Sequence, residues 1–527
     1  MNRTRRRLIA ATGAAAIAGG AGWIAWRTRE DEAQRVVEAR LAPDPEFPNA
    51  LRIPGDSPLF GLADIAGALT FVSTSVHEEI VPGKPAAMLG YTLDFEGRSF
   101  VNPLLRVQNG TELRVRYWNA LDETSIVHWH GLRVDTNNDG HPHYAVGPGE
   151  TYDYQFTVAN RSGTYWYHPH PHELAGKQAY LGLAGLLIVE DDDEIALQRA
   201  LDLELGATDI PLLIQDKRLD ADGAFSYVPG AQEHFHGYCG NTLLVNLTPT
   251  PCFDCATRLY RFRVVNGSNA RVYRLAFLHG DQPLGFQVIG ADGGLLERPV
   301  EAREIFLSPS ERADLLLDLR TASPGDRVVL ASLPFDAMQF SVKSAGEAQM
   351  IPLNGAPLEL MLIRVASTKR YDRKVPEVLS RIAAADREGA QLRRFTLDQA
   401  RGIWRINGGS YRMTETAFSV ERGARETWEF HNPRPGMPHP IHVHGFQYRM
   451  LERRGSPPWV QQLAANESGL APSELGWKDT VLLWPGESLK LLIDFTHPFA
   501  GDQVYMLQCH NMEHETHGMM VNFRVRA

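Results

Sequence analysis

The chain has 527 residues, which is enough for about three domains at a usual size of roughly 150 residues each. Its formal net charge of -10 argues against nucleic acid as a partner, and we expect small molecules or cations instead. With 43% apolar residues and only four cysteines, the composition excludes a largely disordered chain and a disulfide-rich scaffold.

The first predicted element is a targeting segment over residues 1–30. An arginine-rich start precedes an apolar stretch rich in Ala and Gly, and TRRRLI at residues 4–9 resembles a twin-arginine export signal. An uncleaved membrane tether is the alternative, because no clean cleavage motif of small residues follows Trp26. In both cases we expect the body of the protein to be periplasmic or otherwise exported.

Most of the remaining chain alternates apolar and polar residues in short runs, as in LRVRYWNA at 113–120. A period of two with frequent turns predicts an all-β chain of antiparallel sandwiches. Composition and turn signals divide it into three segments of comparable size, at 45–195, 205–350 and 355–527. Two helices are predicted, near 192–204 and near 375–392, and the second lies in a linker.

Three of the four cysteines lie close together in the middle segment. Cys239, Cys252 and Cys255 allow one disulfide in an oxidising compartment, or are chemically inert. The alternative is a metal site that also uses His234 and His236. The disulfide or inert interpretation is favoured, because the spacing matches no familiar metal motif.

Three His-x-His pairs lie in the first and third segments. Their members are His128 with His130, His168 with His170, and His442 with His444. Residues i and i+2 of a strand face the same side, so each pair directs two imidazoles into one space. One such pair is more often a polar strand face than a ligand set, but three pairs predict a site for zinc, copper, iron or nickel.

Cys509 narrows the choice of metal. His514 follows it by five residues and Met519 by ten, and His439 precedes the third His-x-His pair. Two imidazoles, one thiolate and a weak axial thioether are typical of a blue copper site. The alternative is a buried free cysteine beside surface histidines.

The residues on both sides of Cys509 should point away from it. Successive side chains of a strand alternate, so His510 is expected to enter the imidazole cluster behind the thiolate. This arrangement predicts a short covalent path for electrons between two metal centres.

Four motifs, HWHG, YHPHPH, HPIHVHG and CHNMEHETHGMM, resemble the copper motifs of three-domain multicopper oxidases, a family that includes laccases and bacterial cuprous oxidases. The resemblance covers nearly the whole body. It implies three consecutive cupredoxin-like Greek-key β-sandwich domains, with a trinuclear copper cluster between the first and the third.

The resemblance also implies up to four copper ions per chain. The blue type 1 copper would be held by His439, Cys509, His514 and axial Met519. The remaining ligands would be His128 and His442 for type 2 copper, His130, His168 and His510 for one type 3 copper, and His170, His444 and residue 508 for the other.

Gln508 departs from the pattern, since the family ordinarily has histidine at this position. An amide oxygen is a harder and weaker copper ligand than imidazole, so we expect this type 3 copper to be bound less firmly.

Asp139 and Glu515 match the acidic residues that the family uses to supply protons during dioxygen reduction. The alternative is that Asp139 forms a turn and that Glu515 is a surface charge.

Eight further residues near the ligands are given structural interpretations. Histidines 141, 143, 172 and 517 are expected around the ligands or at the surface, since nearly every ligand position is already filled. Methionines 437, 506, 512 and 520 could bind Cu(I), but are interpreted as core residues.

The sequence therefore predicts an exported multicopper oxidase. It would couple one-electron oxidation of phenols, aromatic amines or low-valent metal ions to reduction of dioxygen to water. One alternative is a multicopper-oxidase-like copper-binding or scaffold protein in which Gln508 impairs dioxygen reduction. A weaker one is electron transfer to an acceptor other than dioxygen.

Overall fold

The computed structural model describes residues 47–55, 57–337, 354–409 and 411–527, and the predicted targeting segment lies outside them. These residues form six sheets, which pair face to face into three β-sandwiches. The predicted all-β chain of three sandwiches is confirmed. Among the described residues, no helix has the length and apolar character needed to cross a membrane.

The first sandwich contains ten strands, numbered here along the chain. One sheet consists of β2 (Leu62–Asp64), β6 (Leu104–Gln108), β11 (Gly185–Glu190), β10 (Gly163–Pro169) and β8 (Val127–His130). The facing sheet consists of β5 (Arg98–Val101), β4 (Lys84–Phe95), β3 (Ala68–Val81), β7 (Glu112–Asn119) and β9 (Thr151–Thr157). Trp129, on β8, packs in the core between these sheets, so its neighbours His128 and His130 face the opposite side.

The second sandwich consists of the middle segment together with one strand from before it and one from after it. One sheet consists of β1 (Asn49–Ala50), β15 (Pro251–Ala256), β24 (Leu358–Ser367), β23 (Arg327–Ser332), β17 (Tyr273–His279) and β18 (Gln282–Pro283), and β21 (Ile305–Leu307) also pairs with β17. The other consists of β14 (Thr248–Pro249), β13 (Thr242–Val245), β12 (Asp209–Lys217), β16 (Leu259–Asn266), β22 (Arg312–Asp318), β19 (Phe286–Ala291) and β20 (Gly294–Ala302). Strands β1 and β24 belong here although they lie outside the predicted segment 205–350.

The third sandwich carries the C-terminal motif. Its outer sheet consists of β26 (Ile403–Ile406), β25 (Gln391–Ala400), β28 (Arg425–His431), β33 (Ser488–Asp494), β30 (Tyr448–Arg454) and β31 (Trp477–Lys478). Its other sheet consists of β27 (Thr416–Glu421), β35 (Met520–Arg526), β34 (Gln503–Cys509), β29 (His439–Val443) and β32 (Thr480–Leu483).

The sheets are mixed, whereas the sequence pattern predicted antiparallel ones. Parallel pairs occur in every sandwich, for example β3 with β7, β12 with β16 and β25 with β28. Apolar alternation shows which face of a strand is buried but carries no information about the direction of its neighbour, so this feature could not be read from it.

Within the described residues, five short α-helices connect the strands. They are α1 (Ala175–Tyr180), α2 (Asp192–Leu201), α3 (Ala231–His236), α4 (Pro458–Gln461) and α5 (Met512–Thr516). Helix α2 confirms the helix predicted near 192–204. It begins where the Asp191 side chain accepts a hydrogen bond from the Glu194 amide, and it ends at Asp202, whose φ of 51° is left-handed.

The second predicted helix, near 375–392, is wrong, because this stretch is irregular apart from one turn and the start of β25. Its residues are bound to the second sandwich instead. The Leu379 amide donates to Glu297 O at 2.9 Å, and Ser380 Oγ donates to Leu296 O at 2.9 Å. These backbone contacts, together with the burial of Leu379 against α2, outweigh helix propensity.

The predicted disulfide is absent, since all four cysteines are free. Burial raises the pKa of Cys239 to about 12, which keeps its thiol protonated and agrees with the inert interpretation. Among the described residues, no group of three metal-ligating side chains includes Cys239, Cys252 or Cys255.

Candidate metal centres

One side of strand β34 carries a compact group of His439, Cys509 and His514, which we call the thiolate site. Cys509 Sγ lies 3.4 Å from His439 Nδ1 and 3.5 Å from His514 Nδ1. His439 begins β29, which pairs with β34, and His514 lies in α5 directly after it. Met519 is fully buried and adjoins the site, since its backbone accepts from the Cys509 amide at 3.0 Å and donates to His514 O at 2.9 Å.

The thiolate site has the properties of a metal-binding pocket. Burial lowers the pKa of His514 to about 3 and that of His439 well below its usual range, so both rings are neutral. Burial also raises the pKa of the Cys509 thiol, so a bound cation is needed to stabilise the thiolate. The residues therefore fit a soft metal ion.

Seven histidines form a second group, the imidazole cluster, between the first and third sandwiches. Each of them is no more than 1% exposed, and they are His128, His130, His168, His170, His442, His444 and His510. Strand pairing places His128 opposite His168 in the first sandwich. Stacked rings join the two sandwiches, with centroids 3.8 Å apart for His130 and His442 and 4.0 Å apart for His128 and His444.

The ring nitrogens of the cluster converge. His168 Nε2 lies 3.4 Å from His130 Nδ1 and 3.3 Å from His510 Nε2. The Nε2 atoms of His128 and His442 are buried without a hydrogen-bond partner. Burial and the neighbouring imidazoles lower the pKa of each of these rings, so their nitrogens carry free lone pairs. Buried, unpartnered nitrogens of this kind fit metal ions.

Cys509 points to one side of β34 and its two neighbours point to the other, as the alternation of side chains along a strand predicts. Gln508 and His510 face the imidazole cluster, while the sulfur faces the thiolate site. Gln508 is fully buried, and its Oε1 lies 3.1 Å from His170 Nε2. Its Nε2 lies 3.4 Å from Glu515 Oε2. The amide oxygen therefore occupies the side of the cluster on which His170 lies.

Both candidate acids are buried against the cluster. Asp139 Oδ2 lies 2.8 Å from His444 Nδ1, and Glu515 Oε1 lies 3.5 Å from His170 Nε2. Burial raises the pKa of Asp139, and burial together with nearby Glu513 raises that of Glu515 well above its usual range. The alternative interpretation of Glu515 as a surface charge is wrong, since it is 1% exposed.

The sequence analysis missed Asp479, which contacts the cluster. Asp479 Oδ1 lies 3.1 Å from His130 Nε2, and its backbone carbonyl accepts a hydrogen bond from His442 Nδ1 at 2.9 Å. The only sequence signal is a Lys-Asp-Thr run directly before the apolar run of β32, which has no ligand spacing.

A second missed feature covers the thiolate site. The Phe235 carbonyl, in α3 of the second sandwich, accepts hydrogen bonds at 2.9 Å from both His514 Nε2 and Trp404 Nε1. The Phe235 and Trp404 rings stack with centroids 4.8 Å apart. Helix α3 therefore occupies the outer edge of the His514 ring.

The remaining histidines and methionines agree with their structural interpretations. His141 is buried and its Nε2 lies 3.0 Å from Asn522 Oδ1, while His143 and His517 are exposed and His172 is half-buried. The four methionines at 437, 506, 512 and 520 are no more than 2% exposed and pack as core residues.

Comparisons with known proteins agree with this geometry. Two family models described as multicopper oxidase match residues 91–194 and 385–527. A crystal structure of the multicopper oxidase McoA from Aquifex aeolicus is 40% identical, covers 91% of this chain and 99% of its own, and superposes with a TM-score of 0.81. The multicopper oxidase mco of Staphylococcus haemolyticus is 30% identical over 82% of this chain and 84% of its own. The Bacillus subtilis laccase is 29% identical over 83% and 90%. The similarity to the solved Aquifex aeolicus structure confirms that the sandwiches are cupredoxin-like.

Proposed function

Because the chain belongs to the multicopper oxidase family, an oxidoreductase family that uses dioxygen, we propose that it removes single electrons from small reductants and reduces dioxygen to water. The observation that carries this proposal is the position of Cys509 and His510, which are adjacent in the chain yet belong to two different groups of metal-ligating side chains.

The proposed ligands are those expected from the motifs. The type 1 copper is assigned to His439, Cys509, His514 and Met519. The other assignments are His128 and His442 for type 2 copper, His130, His168 and His510 for one type 3 copper, and His170, His444 and Gln508 for the second. When bound, copper supplies one-electron redox chemistry at the thiolate site and dioxygen reduction at the imidazole cluster.

The protein supplies the path for electrons and the protons. The peptide bond between Cys509 and His510 joins the two centres through covalent bonds. Reduction of dioxygen to water also consumes protons, and burial raises the pKa of Glu515 well above its usual range, which favours the protonated form of its carboxyl group. Its carboxyl oxygen lies 3.5 Å from His170 Nε2, so it is close enough to serve the cluster as an acid. Asp139 orients the His444 ring through Nδ1.

A direct test is to load the purified protein with copper and to record its absorption and its oxygen uptake. We expect an intense absorption band at about 600 nm, from charge transfer between thiolate and copper, together with substrate-dependent oxygen consumption. A copper-loaded protein without that band would contradict the proposal.

Gln508→His is expected to complete the second type 3 site. Imidazole binds copper more firmly than an amide oxygen does, so the copper content should rise towards four ions per chain and oxygen consumption should increase. Copper analysis and oxygen-electrode rates of both proteins check this. Gln503→His, at the other end of β34, is the control. An unchanged copper content would mean that the amide suffices as a ligand.

A second candidate function follows from Gln508. If its amide leaves the cluster short of copper, the protein is a copper-binding or scaffold protein with impaired dioxygen reduction. Copper stoichiometry of the wild-type protein, measured together with oxygen uptake, separates the two functions: a blue protein that holds copper without consuming dioxygen supports the second.

The reductant is proposed to be small, because helix α3 covers the outer edge of the His514 ring. A phenol cannot reach His514 Nε2 while this nitrogen donates its hydrogen bond to the Phe235 carbonyl. Low-valent metal ions are favoured by two neighbouring imidazoles, those of His234 in α3 and of His517, whose centroids lie 4.4 Å apart. Aromatic amines and phenols remain in the proposed substrate class at lower rates.

Trp404→Phe is expected to raise kcat/KM for a bulky phenol by about two- to tenfold. The change removes the indole N–H that binds the Phe235 carbonyl, a hydrogen bond contributing about 0.5–1.5 kcal/mol, so α3 opens more readily. Rates for a phenol and for Fe(II), measured in parallel, check this, because the rate for the smaller reductant should change less. The control is Trp118→Phe, the same change at an exposed position of β7. Equal changes for both reductants would contradict a role of α3 in substrate access.

The N-terminal segment supports export through a twin-arginine-type signal, and we propose a periplasmic or otherwise exported location.

A further inference from the structure

We propose that Arg312 of the second sandwich and Asp479 of the third form a positioning pair that fixes the metal-binding nitrogens of His130 and His442. The second sandwich then controls the geometry of a centre to which it contributes no histidine. This inference rests on the proposed function, because it concerns the orientation of rings that are assigned to copper.

Arg312 is held on all sides. Its NH1 and NH2 donate to Asp479 Oδ1 at 2.7 Å and Oδ2 at 2.5 Å, which forms a bidentate pair. The remaining donors bind three backbone carbonyls, those of Thr164 at 3.0 Å, Ser310 at 2.9 Å and Asp292 at 2.9 Å. Arg312 is fully buried, and Thr164 belongs to the first sandwich. This one guanidinium therefore contacts all three sandwiches.

Asp479 is fixed by further hydrogen bonds. Asp292 Oδ2 accepts from the amides of Asp479 at 3.3 Å and Thr480 at 3.2 Å. Lys478 Nζ lies 3.0 Å from the same Asp292 oxygen and 2.9 Å from Glu311 Oε1. Since isolated buried charges are costly, these paired charges hold the segment 478–480 in one position.

Asp479 accepts hydrogen bonds from two imidazoles, but from a different ring nitrogen in each. Its carboxylate accepts the proton of His130 Nε2 at 3.1 Å, which leaves Nδ1 with a lone pair, 3.4 Å from His168 Nε2. Its backbone carbonyl accepts the proton of His442 Nδ1 at 2.9 Å, which leaves Nε2 unpartnered. The two stacked rings therefore present different nitrogens to the cluster. A hydrogen bond to the far nitrogen of a ligand imidazole is the usual means of setting its tautomer and orientation.

Two substitutions test the pair. Asp479→Asn removes the charge that receives the His130 proton, and Arg312→Lys keeps a charge but loses the bidentate contact. Both variants should bind copper at the imidazole cluster about 10- to 100-fold more weakly. The type 2 copper is assigned to His128 and His442, and loss of the pair frees segment 478–480, whose Asp479 carbonyl holds His442. In copper-loaded protein, the electron paramagnetic resonance signal of the type 2 copper should therefore change its hyperfine splitting, while the blue absorption from Cys509 is unchanged.

Glu474→Gln is the matched control. It removes a charge from another fully buried carboxylate of the third sandwich, whose oxygens lie 3.0 and 2.9 Å from Arg453 Nε. Glu474 contacts none of the seven cluster histidines among its hydrogen bonds and ion pairs. This variant should lose stability without a change in the type 2 signal.

The outcomes separate this inference from the proposed function. Wild-type protein that fails to bind copper at either group would overturn both. If the wild type is blue and binds cluster copper, but Asp479→Asn keeps the same copper affinity and the same type 2 signal, the positioning pair is refuted alone. If Asp479→Asn does not fold, Arg312→Lys decides by the same two measurements.

Discussion

Cys509→Ser is expected to abolish the blue absorption and the oxidase activity together. The thiolate is the softest ligand of the site, and serine cannot replace it because a hydroxyl is a hard and weakly acidic donor. The change also removes the sulfur from the covalent path to His510, so electrons from the reductant no longer reach the imidazole cluster. Absorption spectra and oxygen uptake of the copper-loaded variant check the result.

Cys239→Ser is the matched control for that experiment. Cys239 is also buried, but it belongs to none of the groups of metal-ligating side chains in the described residues. Its substitution should leave the spectrum and the rate intact. Retention of the blue band in Cys509→Ser, or its loss in Cys239→Ser, would show that the thiolate site has been assigned to the wrong cysteine.

Glu515→Gln is expected to slow dioxygen reduction by about 10²- to 10⁴-fold, the usual contribution of a positioned acid. Glutamine preserves the shape of the side chain but has no proton to give. Reduction by substrate is proposed to take place at the thiolate site, so its rate should be unaffected. In stopped-flow measurements, anaerobic bleaching of the blue band should therefore keep its wild-type rate, while recovery of the band after dioxygen is added should slow.

Glu513→Gln controls for damage to helix α5. Glu513 is as buried as Glu515 and lies in the same helix, but it faces the second sandwich, where it binds Tyr227, Asn269 and the Tyr238 amide. It makes no hydrogen bond to the cluster histidines, and its neutralisation removes only the smaller of the two causes that raise the pKa of Glu515, since burial is the larger. If both substitutions slowed recovery of the band equally, the effect would arise from the helix and proton supply by Glu515 would be refuted.

The thiolate site and the cluster could be predicted because they follow from local rules. The histidine pairs and Cys509 lie on or next to strands, and the alternation of a strand fixes which side each residue faces. The thiolate of Cys509, with His514 and Met519 at short spacing after it, indicates a site for a soft metal ion. These rules use only neighbours along the chain. The same alternation predicted the three sandwiches, but it could not predict whether paired strands run parallel or antiparallel.

The features that escaped prediction depend on contacts between distant segments. Asp479 is 349 residues from His130, and nothing in its own neighbourhood indicates that Arg312 will meet it. The Phe235 carbonyl is a backbone atom, which any residue type would supply. The stretch around Leu379 has helical composition, but its amide binds a carbonyl of another sandwich.

The pairing of His130 with His442 and of His128 with His444 has a consequence for biosynthesis. Each pair takes one ring from the first sandwich and one from the third. The imidazole cluster can therefore form only after the third sandwich has been synthesised and has packed against the first. Metal binding at the cluster is expected to follow the folding of both sandwiches.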